Sequence, residues 1–297
     1  MDQKNESKIK KFTIDDSIVQ FALTAPMKYL EPRMEHVAVA EMAVYFGSTR
    51  RDLCDAEIWS LTEEQRTKFA YDYAIPTPLR YASVKDHKLT RLSLLQVIFS
   101  LSLGTPFGLP DQRDGVIVQD IFPRVDKTER VNASFGSKED FAFHTDQAYN
   151  ADVSEVPTSM TLLCIRNQER GMTRVIHLST ILKNLTQTHT EVLKEPYFRF
   201  YTGRPEENIA VRVGPVLTDA GDLYTIRVAT DMTAINPVAQ AALLSLRRVM
   251  KMKADNIILE HGDISVLPNS TTVHSRSPFN PNPLETQRRW LQRIFIK

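Results

Sequence analysis

The residue pattern changes near residue 104, and this change limits the possible folds more than any other feature of the chain. Beyond it, short apolar stretches are separated by Gly, Pro and Asp turns. Short strands joined by such turns are typical of an antiparallel sandwich or barrel. We expect strands over residues 116–123, 141–145, 159–166, 173–177, 197–201, 209–213, 223–228, 257–259, 264–267 and 289–296.

The part before residue 104 has helical apolar spacing instead. Thr62 and Gln65 have the spacing of a capping box, which begins a helix. One further helix is predicted inside the strand-rich part, because Asn236 offers an N-cap and Pro237 suits the first helical position. The other predicted helices cover residues 15–30, 34–46 and 89–103.

These patterns predict one domain, mainly β with flanking helices. Residues 1–11 are polar and charged, so we expect a disordered tail there. Residues 12–297 contain no internal repeat and no linker. Within them we expect a mainly helical part over 12–103 and a β core over 104–297, with the inserted helix at about 237–253.

The composition is that of an ordinary soluble globular protein, with 42% hydrophobic and 25% charged residues. A net charge of +1 gives no electrostatic reason to expect nucleic acid or a membrane as partner. The two cysteines, Cys54 and Cys164, form no disulfide framework and indicate a reducing compartment. The N-terminus has no signal-peptide pattern and no stretch is apolar enough to span a membrane, so we expect a cytoplasmic enzyme.

The segment FAFHTD (141–146) places a histidine and a carboxylate two residues apart on a predicted strand. Side chains along a strand alternate faces, so His144 and Asp146 should project to the same side. They are two of the three ligands of a 2-His-1-carboxylate triad, which binds non-haem Fe(II) and leaves positions open for substrate and oxygen. The third ligand should lie on a strand that returns beside this one, and His274 is the candidate. Such a triad suits a jelly-roll, cupin-like core.

Two other histidines are also followed, two residues later, by an acidic residue, and both pairs have a structural explanation. His189 and Glu191 lie in a stretch with helical spacing, where positions i and i+2 face different sides, and Thr188 with Glu191 has capping-box spacing. His261 and Asp263 flank Gly262, which is typical of a tight turn between two strands.

Several motifs follow one another in a fixed order along the chain. They are GTPFG (104–108), GVIVQDIFP (115–123), HTDQAY (144–149), LLCIR (162–166), GMT (171–173), GDISVLPN (262–269), HSRSPFNP (274–281) and RRWLQR (288–293). Together they resemble the clavaminate synthase-like, taurine dioxygenase (TauD) superfamily of Fe(II)/2-oxoglutarate-dependent oxygenases. Within it they are most similar to the branch of clavaminate synthase and the free arginine hydroxylases. The resemblance covers about residues 85–297 and implies a double-stranded β-helix, or jelly-roll, core.

The resemblance assigns a role to each motif residue. It implies that His144, Asp146 and His274 bind iron. It implies that Arg289 pairs with the distal carboxylate of 2-oxoglutarate, which suits the planar fork of a guanidinium, and that Thr173 donates a hydrogen bond to this cosubstrate.

The remaining motif residues imply contacts to an amino-acid substrate. Arg293 corresponds to an arginine near the substrate or cosubstrate carboxylate, and a strand would turn it to the same side as Arg289, four residues earlier. Gln119 and Ser134 match positions that hold the α-carboxylate and α-amine, and Asp231 matches an acid that binds a basic side chain. The sequence without the resemblance is equally compatible with structural roles for both residues: Ser134 in a turn, and Asp231 just before the start of a helix.

Two features depart from the family pattern. The spacing from His274 to the proposed anchor Arg289 is 15 residues, one more than expected, so Arg288 also remains a candidate for the cosubstrate anchor. The two arginines and Arg293 are also compatible with a solvated basic edge strand. The metal carboxylate is Asp146, where this branch often has Glu.

The implied function is hydroxylation of an unactivated C–H bond of a free or modified amino acid, with decarboxylation of 2-oxoglutarate to succinate and CO2. A desaturase or cyclase of secondary metabolism is an alternative within the same family. A zinc-dependent hydrolase or lyase would use the same three ligands and a metal-bound water, but gives Thr173 and Arg289 no task. A non-catalytic ligand-binding barrel is the third alternative.

Overall fold

The computed structural model describes residues 9–30, 35–46, 53, 55–77, 89–110, 115–123, 136–201, 212–221 and 223–297. Its helices are α1 (Asp16–Thr24), α2 (Glu35–Phe46), α3 (Glu63–Lys68), α4 (Ala70–Ala74), α5 (Arg91–Leu101), α6 (Leu178–Asn184), α7 (Gln187–Lys194) and α8 (Pro237–Lys253). Its strands are β1 (Lys10–Thr13), β2 (Glu57–Ser60), β3 (Pro106–Phe107), β4 (Gln119–Ile121), β5 (Phe141–His144), β6 (Ser159–Arg166), β7 (Thr173–His177), β8 (Phe198–Phe200), β9 (Arg212–Gly214), β10 (Leu217–Ala220), β11 (Leu223–Ile226), β12 (Met232–Ala234), β13 (Asp255–Ile257), β14 (Ile264–Pro268), β15 (Thr272–Arg276) and β16 (Trp290–Ile296).

Two sheets share one apolar cluster at the centre of the molecule. The larger sheet has seven strands in the order β1-β2-β14-β6-β16-β3, with β4 also paired to β16. The smaller sheet has four strands in the order β13-β7-β15-β5. Met160, Leu162 and Leu291 of the larger sheet pack in one cluster with Val175 and Ile257 of the smaller sheet. The fold is therefore mainly β, as the turn-separated strand pattern predicts.

Helices cover the outer faces of both sheets. The residues of α5 from Leu92 to Leu101 are all buried, and the helix packs against β6 and β16 of the larger sheet. A helix that is buried on all sides is apolar around most of its circumference, which explains the sequence of α5. On the other side, Leu243 and Leu246 of α8 share a cluster with Ile176 and Val273 of the smaller sheet.

Most predicted helix boundaries are close to the observed ones. The capping box of Thr62 and Gln65 is present at the start of α3, and Asn236 caps α8 through a hydrogen bond from the Ala239 amide. The capping box predicted at Thr188 is wrong. Thr186 is the N-cap of α7, because its hydroxyl accepts from the His189 amide one turn into the helix.

Two strands in the helical part were not predicted. β1 pairs in parallel with β2, and β2 pairs with β14, so both extend the larger sheet. Each has only four residues, too few for a clear alternating pattern. β1 begins at Lys10, so the end of the predicted tail takes part in the sheet, while residues 1–8 lie outside the described residues.

Cys164 is fully buried on β6, as its apolar neighbours predict, whereas Cys54 lies outside the described residues. Within the described ranges, no helix is both long and apolar enough to cross a membrane.

Candidate metal centre

Two histidines stand side by side on neighbouring strands. His144 ends β5, and its register partner across the antiparallel ladder is His274 on β15. Their ring centroids lie 4.2 Å apart, and both residues are buried. The Nδ1 atom of His144 lies 2.8 Å from the carbonyl oxygen of Ala142, which can only accept, so Nδ1 carries the proton and Nε2 keeps its lone pair.

Asp146 completes the group from the turn that follows β5. Its Oδ2 atom lies 3.6 Å from Nε2 of His274, and the ligand atoms of the three residues all lie within 4.8 Å of one another. Asn269, at the end of β14, fixes the main chain of Asp146: its Oδ1 accepts from the Asp146 amide at 2.7 Å, and its Nδ2 donates to the Asp146 carbonyl at 2.9 Å. The next residue, Gln147, has a left-handed φ of 58° that turns the chain away.

The protonation states suit a metal. Burial lowers the pKa of both histidines, that of His274 to about 3, so both imidazoles are neutral. Burial alone would raise the pKa of Asp146, but the charge of the adjacent Arg293 guanidinium outweighs this effect, and the pKa is lowered. Neutral imidazoles and an ionised carboxylate are the forms that bind metal ions.

The donor set therefore fits a metal ion. Within the part of the chain that the structure describes, the buried Oδ2 atom of Asp146 has no hydrogen-bond partner. A buried polar atom without a partner is costly, and a cation between the three side chains would satisfy it. Two nitrogens and one oxygen on one side are the ligands of a facial triad with open positions.

Arg293 lies directly against this group. Its Nη1 donates to Asp146 Oδ1 at 2.6 Å, and its Nη2 donates to Gln119 Oε1 at 2.6 Å. Gln119 is the register partner of Arg293 across β4 and β16, so the two side chains share a face. The guanidinium also lies 4.2 Å from the ring centroid of Phe295. Three contacts thus hold Arg293 in one position beside the carboxylate.

One cavity joins the two histidines of the metal group to three other predicted residues. Both histidines line it, together with Thr173, Arg289 and Arg293. Burial lowers the pKa of Arg289 to about 10, so it stays charged at neutral pH. Among the described residues, its Nε atom has no hydrogen-bond partner. The cavity therefore presents a buried cation and a hydroxyl together with the two histidines of the metal group, which suits a dicarboxylate.

The structure distinguishes Arg288 from Arg289. The Arg288 side chain donates to the carbonyl oxygens of Asn282 at 3.0 Å and Pro123 at 3.3 Å, and it does not line the cavity. Both arginines are buried, and β16 lies between other strands of the larger sheet. The interpretation as a solvated edge strand is therefore wrong.

The predicted substrate residues are not all brought together. Gln119 is buried beside Arg293, whereas Ser134 lies outside the described residues. Asp231 is half-buried, its carbonyl oxygen accepts from the Tyr201 amide at 3.1 Å, and it does not line the cavity. Its charge acts on Arg247 of α8 instead.

Sequence reasoning missed Asn269 and Glu169. Asn269 is a polar residue at the buried end of a strand, a position that indicates a specific hydrogen-bonding task. Glu169 accepts from the main-chain amide of Arg289 at 2.8 Å, a contact across 120 positions that no local pattern could indicate.

Comparison with known proteins gives consistent matches. The family model described as "Taurine catabolism dioxygenase TauD, TfdA family" matches residues 84–295. The L-asparagine oxygenase of Streptomyces coelicolor is 29% identical over 74% of this chain and 66% of its own length, just under two thirds. Clavaminate synthase 2 of Streptomyces clavuligerus is 24% identical over 74% of this chain and 69% of its own length.

Solved structures show the same fold. The asparagine oxygenase in complex with Fe(II), 2S,3S-3-hydroxyasparagine and succinate superimposes with a TM-score of 0.75 and 21% identity, covering 96% of this chain and 93% of that chain. The non-heme iron oxygenase OrfP in complex with Fe and alpha-ketoglutaric acid has a TM-score of 0.74 and 20% identity, covering 97% and 94%.

Proposed function

This chain belongs to the taurine catabolism dioxygenase TauD, TfdA family, and from that premise we propose that it is a non-haem Fe(II)/2-oxoglutarate-dependent dioxygenase that hydroxylates a free or modified amino acid. Its two facing sheets form the jelly-roll core of a single oxygenase domain, residues 12–297, in the cytoplasm. The substrate class comes from the relatives, which include an L-asparagine oxygenase, an L-lysine 3-hydroxylase and an L-ornithine/L-arginine 3-hydroxylase.

One observation carries the proposal. Two residues of the buried metal group, His144 and His274, line the same cavity as Thr173 and Arg289. A metal site alone is compatible with many chemistries. A metal site that shares a cavity with a buried cation and a hydroxyl is what a chelating 2-oxo dicarboxylate requires.

Each residue has a definite task in this proposal. His144, Asp146 and His274 hold the metal, and the hydrogen bond at Nδ1 keeps Nε2 of His144 available as ligand. Arg289 binds the distal carboxylate of 2-oxoglutarate in a bidentate manner, and Thr173 donates a hydrogen bond to it. Bound Fe(II), 2-oxoglutarate and O2 supply the oxidising equivalents, with succinate and CO2 as coproducts.

The apolar walls and the charge near the metal complete the site. Met160, Leu162 and Leu291 line the cavity and limit the access of water, which protects an oxidation from side reactions. Arg293 holds Oδ1 of Asp146, so Oδ2 is the oxygen offered to the metal. We assign the substrate contacts to Gln119 and Arg293, and to Ser134 and Asp231 by resemblance.

The test is an anaerobic titration of the metal-free protein with Fe(II) and 2-oxoglutarate, followed by the visible metal-to-ligand charge-transfer band. We expect a band in the wild type, no band in His274→Ala, and about tenfold weaker 2-oxoglutarate binding in Arg289→Lys. The matched control is Arg288→Lys, because that side chain does not line the cavity. A folded wild type that binds iron but gives no band would refute the oxygenase. A preference for zinc without any response to 2-oxoglutarate would favour a zinc hydrolase or lyase.

A further inference from the structure

The peptide group between Arg288 and Arg289 is held at both of its polar ends by side chains, of which Arg166 and Thr77 are buried and Glu169 is half-buried. Its carbonyl oxygen accepts from Arg166 Nε at 3.2 Å and from the Thr77 hydroxyl at 3.0 Å. Its N–H donates to Glu169 Oε1 at 2.8 Å. A peptide group is planar, so fixing both ends fixes the plane from which the Arg289 side chain departs.

Arg166 is the centre of this arrangement. It ends β6 and has no exposed surface. Its five N–H groups are all used: beyond the Arg288 contact, Nη1 donates to the carbonyls of Tyr73 at 2.9 Å and Ile75 at 3.0 Å, and Nη2 donates to the Thr286 carbonyl at 2.8 Å and to the Thr77 hydroxyl. The guanidinium therefore joins residues 73–77 to residues 286–288.

Glu169 holds the other end through the main chain. Its Oε1 atom accepts from the amides of Arg289 and Asn282, at 2.8 and 3.1 Å. This carboxylate acts on the main chain of Arg289, which leaves the guanidinium in the cavity for a ligand. The Arg289 stem is confined as well, since a Cβ atom built on Gly171 would lie 3.0 Å from Arg289 Cδ.

We propose that Arg166 is a positioning residue for the cosubstrate: by fixing the Arg288–Arg289 peptide it sets the place of the Arg289 guanidinium, and thereby the length of the 2-oxo dicarboxylate that is bound. This inference rests on the proposed function, because it needs 2-oxoglutarate as the ligand of Arg289. A guanidinium is required, since the single ammonium of a lysine has three donors at one point and cannot join both segments.

The experiment compares Arg166→Lys and Arg166→Met with Arg66→Lys and Arg66→Met. Arg66 is a matched control, because it also braces a helix onto a turn, through the carbonyls of Leu61 and His261 and the carboxylate of Asp263, but does not touch the start of β16. The dissociation constants of Fe(II), 2-oxoglutarate and 2-oxoadipate, which is one methylene longer, are measured from the charge-transfer band. Thermal unfolding is recorded in parallel.

For Arg166→Lys we expect about tenfold weaker 2-oxoglutarate binding, a smaller preference for 2-oxoglutarate over 2-oxoadipate, and Fe(II) affinity within about threefold of wild type. Arg166→Met should be weaker still. The Arg66 variants should lower the melting temperature and leave both 2-oxo acid constants unchanged. An Arg166→Lys protein that is less stable but binds both acids like the wild type would reduce Arg166 to a structural brace and overturn the proposal.

A milder variant covers the case in which neither Arg166 variant folds. Thr77→Val removes one of the two donors to the Arg288 carbonyl, and about threefold weaker 2-oxoglutarate binding is expected. Unchanged binding in this variant would then overturn the proposal. Absence of the charge-transfer band in the wild type would instead reject the proposed function itself.

Discussion

Replacing Asn269 by aspartate should damage the metal group although no proposed ligand is changed. The amide of Asn269 makes three hydrogen bonds: Oδ1 accepts from the Asp146 amide at 2.7 Å, and Nδ2 donates to the carbonyls of Asp146 at 2.9 Å and Pro157 at 3.0 Å. Asn269→Asp has almost the same shape and keeps the first bond. It loses both donations and places a carboxylate oxygen against two carbonyl oxygens.

The expected loss in the free energy of unfolding can be calculated from these hydrogen bonds. Two lost hydrogen bonds at about 1 kcal/mol each, plus the desolvation of two buried carbonyls at about 1 kcal/mol each, lower the free energy of unfolding by about 4 kcal/mol. Residues that orient a metal ligand contribute about 10- to 100-fold in metal affinity, so Fe(II) should bind that much more weakly.

Urea unfolding of the metal-free protein measures the first effect, and anaerobic calorimetry with Fe(II) measures the second. Asn256→Asp is the control, because Asn256 is exposed on β13 and the same substitution there should change neither quantity. If Asn269→Asp keeps wild-type metal affinity in the folded protein, the reasoning that Asn269 orients Asp146 is refuted, whatever happens to stability.

Two glycine substitutions and the removal of the metal should each have a measurable effect. Gly171→Ala places a Cβ 3.0 Å from Arg289 Cδ, so the arginine must shift and 2-oxoglutarate should bind about fivefold more weakly in the charge-transfer titration; unchanged binding would contradict the tight contact. Gly262→Ala requires a φ of 80° and brings a Cβ within 2.5 Å of Leu61 Cδ1, so urea unfolding should show a loss of about 1–3 kcal/mol with no change in Fe(II) affinity. With free Fe(II) at about 100 times its dissociation constant, removing the metal with a chelator should lower the free energy of unfolding by about 2.7 kcal/mol. This corresponds to roughly 5–10 °C in melting temperature, and His274→Ala should show no such shift.

The sequence predicts those parts of the site that depend on local pattern. Strand alternation places His144 on the inner face, and the reappearance of a histidine in a later motif suggests His274 as its neighbour. Capping signals place the starts of α3 and α8 correctly, because a cap is a contact between residues three positions apart.

Contacts between distant segments escape this kind of reasoning. Arg288 and Arg289 are adjacent and chemically identical, and their different surroundings come from carbonyl groups at positions 123 and 282 and from the cavity. The register of β16 against β6 also shifts between Trp290 and Leu291. This shift interrupts the alternation of side chains, so the residues that face inward cannot be identified by counting back along β16. The strands β1 and β2 were missed for a related reason, since only pairing with the rest of the sheet distinguishes them from loops.

The cross-strand pair of histidines has a consequence for synthesis. His144 leaves the ribosome 130 residues before His274, and Asn269 also arrives late. At roughly 5–20 residues per second this is a delay of roughly 6–26 s, during which the early half of the site exists without the strand that completes it. The complete donor set of two histidines and one carboxylate therefore exists only after β14 and β15 have been translated and have closed beside β5.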